Sequence, residues 1–152
     1  MLEINNDEKE IIREEISILS KKTAVNEKTK NEFENLISAI ESQNIDDTQL
    51  YLLSKVLELL LSSGEIRRKY SYVDEQKIFR LYGKTPTGKK QKDNIDKLNK
   101  SLMILQSQKI ESISFSLNLP GVYGIAIKTD EGEISLNINQ SGIYADKLEV
   151  EI

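Results

Sequence analysis

The apolar residues of this chain change their spacing once, near residue 107, and that change limits the folds open to it. Before that point they recur every three or four residues, the period of a helix face; beyond it they alternate, the period of a half-buried strand. Ile113, Phe115, Leu117 and Leu119 alternate with Ser112, Ser114, Ser116 and Asn118. After Pro120-Gly121, Tyr123, Ile125 and Ile127 do the same. Ile134, Leu136 and Ile138 follow the turn at 129–132, and Leu148, Val150 and Ile152 follow the turn at 139–142. Four short strands joined by tight turns predict an antiparallel meander with one apolar face, and that face needs helices to cover it.

The helices are readable upstream. Over 6–22, Ile12, Ile16 and Leu19 fall at i, i+4 and i+7, with Asn6 as the expected cap. Over 27–42, Phe33, Leu36, Ile37 and Ile40 form a stripe behind Asn26 as cap. Asp46-Asp47 opens a third helix whose leucines surround most of its circumference, marking it as central, and Gly64 is its expected left-handed end. Residues 65–82 fit two templates, a hairpin of IRRKYSY and KIFRLY or a short helix. The residue types favour a helix over 74–82, capped by Asp74 and closed by Gly83. A longer helix over 87–106 carries a narrow stripe of Ile95, Leu98, Leu102 and Leu105.

The expected fold is therefore α+β: an N-terminal helical bundle of four to five helices followed by a four-stranded antiparallel β-meander. Its parts are a three-helix region over 1–64, a basic connector and long helix over 65–106, and the meander over 107–152, either as one compact domain or as two sharing a core.

Composition bears on chemistry mainly by what it lacks. The 152 residues include no Cys and no His. Thiolate nucleophiles, disulfides, Ser-His and Cys-His machinery, and His- or Cys-ligated metals are excluded. The adjacent carboxylates Glu14-Glu15 and Asp46-Asp47 do not share a helix face, and the second pair is explained by capping. No catalytic, cofactor-binding or metal-binding residue is expected. The polar, acidic start and the lack of a long apolar run point to a cytoplasmic protein without a membrane span.

One stretch imitates a nucleotide site. Gly83-Lys84-Thr85-Pro86-Thr87-Gly88-Lys89-Lys90 spells G-x-x-x-x-G-K, the phosphate-cradling pattern. That chemistry needs a buried strand leading in and a Ser or Thr after the lysine to hold magnesium; here the lead-in KIFRLY is short and charged, and Lys90 occupies the last position. A helix–loop–helix connector accounts for the same residues, with Pro86 suited to a first helical turn.

Charge marks the remaining candidate. Residues 62–100 carry 11 basic and 5 acidic side chains, whereas 1–61 carry 7 and 13. Arg67, Arg68, Lys69, Lys77, Arg80, Lys84, Lys89, Lys90 and Lys92 are interleaved with Tyr70, Tyr72, Phe79 and Tyr82. Apart from Phe79, these residues are the expected docking surface of a non-catalytic binding or adaptor protein with a protein partner of acidic character. The same pairing of cations and aromatics suits nucleic acid. Read as hairpin and helix, L-x3-G-E-I-R-R…F-R-L-Y-x-x-T-P-x-G-K-K resembles the final helix and wing of winged-helix regulators over about 40 residues. It lacks the second helix that precedes a recognition helix; the resemblance implies nucleic-acid binding as the alternative. A carboxylate-dependent enzyme is a second, weaker alternative. The blander account is that these charges complement the acidic N-terminal helices. The polar sheet face (Ser112, Ser114, Ser116, Asn118, Ser135, Asn137) is either an ordinary solvated surface or a flat docking or oligomer face. A homodimer through the stripe of the 87–106 helix is a further option.

Overall fold

The computed structural model describes residues 2–22, 26–139 and 142–150, the last five of these as backbone strand. Six α-helices, a 3-10 turn and four strands follow one another within them: α1 Asn6–Lys22, α2 Glu27–Ser42, α3 Asp47–Ser62, α4 Glu65–Lys69, α5 Tyr72–Lys84, α6 Pro86–Leu102, a 3-10 turn Met103–Leu105, then β1 Ile110–Leu119, β2 Val122–Thr129, β3 Gly132–Asn139 and β4 Gly142–Val150. The α+β class and the meander are as expected, and the helices number six rather than four to five.

Capping explains most helix ends. Asn26 accepts from the Thr29 N–H, and Asp46 forms a reciprocal capping box with Gln49. Gly64 follows α3 at φ +70°, a conformation that costs glycine little. Three ends differ from the sequence reading. The box that opens α1 is Asn5 with Glu8, each side chain bonding the other's N–H at 2.9 Å, so Asn5 and not Asn6 is the cap. Ser71, not Asp74, caps α5; Asp74 sits three residues on and takes the Ser71 hydroxyl at 2.7 Å. Gly83 lies inside α5, which continues to Lys84. The whole of 65–82 is helical apart from the α4–α5 corner, so the hairpin that a wing requires is not formed there.

The chain forms two compact units that divide between Lys89 and Lys90. In the first, α3 packs against α1, α2, α4 and α5. Leu53 and Leu57 are fully buried, with Ile12, Ile16, Leu36, Ile40, Ile66, Ile78 and Leu81 around them. Leu59 is 51% exposed, so α3 is central without being buried all round.

In the second unit the strands pair in sequence order, β1-β2-β3-β4, all antiparallel. The stripe of α6 packs on this sheet: Leu98, with Leu102 and the following Leu105, meets Ile134 and Leu136. Three of the four stripe residues are thus used within their own unit, while Ile95 is 42% exposed. On the polar face, Asn118 bridges Ser116 and Asn137 at 2.8 and 2.9 Å. The last turn includes residues 140 and 141, which lie outside the described residues. So do Glu151 and Ile152 and the side chains of Lys147 and Glu149.

Candidate partner-binding surface

Folding divides the basic segment into a spent half and a free half. Arg67 donates to Glu75 through Nε at 3.0 Å, with the guanidinium terminus 2.9 Å from the same carboxylate. Arg68 pairs with Glu65 at 2.9 Å. Lys69 reaches Glu15 of α1 at 2.9 Å and Glu65 at 3.2 Å. Lys77 reaches Asp7 of α1 at 2.9 Å and Asp74 at 3.2 Å. These pairs shift the groups in the expected directions. Hydrogen bonds donated to Glu75, Glu15 and Asp7 hold Arg67, Lys69 and Lys77 above their ordinary values, and the Ser71 hydroxyl and Lys77 hold Asp74 below its own. Tyr70 belongs to the same latch, its hydroxyl donating to Glu14 at 2.9 Å and Glu15 at 3.1 Å. In these residues the basic segment answers the acidic α1.

Tyr82 is also withdrawn from the surface. Its ring is in the core, and its hydroxyl has no hydrogen-bond partner among the described residues. Burial raises its pKa, and the charge of Glu58 adds to the rise. Tyr82→Phe should therefore raise stability by about 1 kcal/mol, read as a higher urea midpoint, because it removes a buried group that lacks a partner.

The glycine-rich connector is a helix corner. Thr85 ends α5 and begins α6: its hydroxyl donates to the Tyr82 carbonyl at 2.7 Å and accepts from the Gly88 N–H at 3.3 Å. The Thr85 carbonyl takes the Lys89 N–H at 2.9 Å. Gly88 lies hard against the last turn of α5. A Cβ there would collide with the Tyr82 carbonyl oxygen and stand 2.7 Å from its carbon. The glycines thus meet helix α5, where a phosphate loop would have a strand.

What stays open is one face of α5. Tyr72, Val73, Phe79, Arg80, Gly83 and Lys84 are exposed and fall within one arc of the helix, Tyr72 and Phe79 seven residues apart along it. Tyr72 and Phe79 are 73% and 58% exposed. Arg80 and Lys84, one turn apart beside this aromatic line, have no hydrogen bond or ion pair with any described residue. Lys89 on the first turn of α6 is likewise exposed and free, as are Lys90 and Lys92, which fall in the second unit. Phe79 and Val73 are the additions to the expected surface. Their signal lay in helical spacing, which separates Tyr72 and Phe79 from the inward Tyr82.

A groove of about 280 Å³ beside α1 and α2 is lined by Lys9, Glu10, Arg13 and Glu41. It is crossed by its own contacts, Arg13 to Glu41 at 3.6 Å and Lys9 to the Glu41 carbonyl at 3.3 Å. Among the described residues no three acidic side chains cluster as a cation site, and no helix is long and apolar enough to cross a membrane. Comparison with protein-family models, curated proteins and solved structures finds no match to this chain.

Proposed function

We propose that this is a non-catalytic binding protein that docks an acidic protein segment on the open face of α5. The observation that carries this reading is the pairing, on one helix face, of exposed Tyr72 and Phe79 with the free cations Arg80 and Lys84. Exposed aromatics gain by desolvation and serve as anchors, while flanking cations select the charge of the partner and speed its approach. Nucleic acid is the weaker candidate for this face. Arg67, Arg68, Lys69 and Lys77 are occupied by carboxylates, so Glu75, Glu65, Glu15, Asp7 and Asp74 accompany them and oppose a phosphate backbone.

The test replaces Phe79 with a photo-cross-linking phenylalanine analogue in the cells that make the protein. A protein adduct is expected, joined at a segment where Asp and Glu accompany apolar side chains. Arg80→Glu with Lys84→Glu should reduce its yield about tenfold. An adduct removed by nuclease would transfer the face to nucleic acid. No adduct, or one indifferent to charge reversal, would overturn the proposal.

A further inference from the structure

The second unit leaves one flank of its sheet bare. An α-helix is about 10–12 Å across and strands lie ~4.8 Å apart, so a single helix covers roughly two strands of four. α6 covers the middle of β3, where Ile134 and Leu136 are buried. β1, at the sheet edge, falls outside that cover. Ile113, Phe115, Leu117 and Leu119 are 52%, 77%, 64% and 65% exposed, and Tyr123 on β2 is 57% exposed. The pairing sets Ile113, Phe115 and Leu117 opposite Ile127, Ile125 and Tyr123, which in turn oppose Ile134, Leu136 and Ile138. The exposed row therefore continues the face that α6 covers.

We propose that a second copy of this chain covers this flank, the β1–β2 sides of two sheets packing face to face about a two-fold axis. Three observations favour that occupant. The bare side chains together present several hundred Å² of apolar surface, on the scale of the ~800 Å² that each partner contributes to a stable interface. The surface is neutral, with no charged residue among the 16 from Ser112 to Ile127, so an identical surface meets it without repulsion or an unpaired charge. The nearest charges along β1 and β2, Glu111 and Lys128, already satisfy each other at 3.5 Å, and Lys128 lies on the opposite, polar face beside Ser112. Stacked sheets lie ~10 Å apart, close to the thickness of a helix layer, so a partner sheet fits beside α6. Pairing of two β1 edges would satisfy backbone groups but leave the apolar row in water, which is why the stacked arrangement is assigned. The arrangement is isologous, each copy giving the surface that it receives.

Sedimentation velocity of the full chain over roughly 1–100 μM tests this. The expected result is a concentration-dependent rise to twice the 17.4 kDa of one chain. Phe115→Asp with Leu117→Ser should weaken association at least ~100-fold, while Arg80→Glu with Lys84→Glu should leave it unchanged. Because Phe115 and Leu117 are exposed in the single chain, the variant should keep its circular dichroism, and its urea midpoint should match that of the wild type diluted to monomer. A monomer at every concentration overturns the proposal. A dimer that survives the β1 variant overturns it equally.

Discussion

Gly88→Ala should cost about 3 kcal/mol or more, although helix propensity alone predicts a gain of roughly 1 kcal/mol from the same change. The opposition of signs makes the measurement decisive. Gly88 is in the first turn of α6, and an added Cβ would collide with the Tyr82 carbonyl oxygen, stand 2.7 Å from the Tyr82 carbon and 2.9 Å from the Gly83 Cα. All three are backbone atoms of a helix end, which cannot rotate away as a side-chain tip can. Relief requires α6 to shift, and a shift pulls on the Thr85 hydroxyl, which holds both helices at 2.7 and 3.3 Å. Gly83→Ala is the control. Its Cβ would meet nothing within 4 Å, its backbone is helical, and it should stabilise by up to about 1 kcal/mol. Urea unfolding of the two variants should move the midpoint in opposite directions. A loop shaped to hold phosphate would give the two glycines no such division of labour.

Lys69→Met should destabilise by about 3 kcal/mol, because it abandons a buried carboxylate. The Glu15 side chain is only 2% exposed, while that of Lys69 is 31% exposed. Removing the lysine leaves Glu15 charged in the core edge with Tyr70 as its remaining donor. Glu15→Gln with Lys69→Met removes both charges and should recover more than half of the loss, which separates the stranded charge from lost packing. The pH profile provides a second readout. Lys69 is held above its ordinary 10.5 by its hydrogen bond to Glu15, and Tyr70 above its ordinary 10.0 first by burial and then by Glu14 and Glu15. Both folded-state values are raised. Their contribution is therefore complete below about pH 10 and is lost as pH climbs through the raised values. Wild-type stability should fall in strong alkali, and Lys69→Met should flatten that fall, leaving the part due to Tyr70. An alkaline limb of unchanged slope would show that the latch does not carry the dependence.

The sequence announced the architecture because periodicity is a local property. The change from a helix to a strand period, the caps at Asn26 and Asp46 and the turn at Gly64 all depend on residues within a few positions of one another. Errors of one to three positions arose where two cap-forming residues compete. Asn5 prevails over Asn6 because Glu8 stands three residues after it, and Ser71 prevails over Asp74 because Asp74 is then placed to accept its hydroxyl. The surface was harder to read. Lys69 meets Glu15 across 54 positions and Lys77 meets Asp7 across 70, and no linear pattern distinguishes these lysines from the free Lys84. The β1 flank was hidden for a related reason. Alternation tells which residues share a face, but whether a helix lies over Phe115 depends on where α6 crosses the sheet.

The separations just described also set an order of assembly. The sheet joins each strand to its neighbour in sequence, so every pairing closes a turn of a few residues, which is entropically cheap and fast. The first unit is different: its core joins Ile4 and Ile12 to Ile78 and Tyr82. During synthesis α1 has its carboxylates ready long before Lys69 and Lys77 exist, and its apolar side, which packs on α2 and α3 as well, is covered in full only once α5 has left the ribosome. The first helix of the unit thus waits for α5 to complete its contacts, while the meander can close hairpin by hairpin as it emerges.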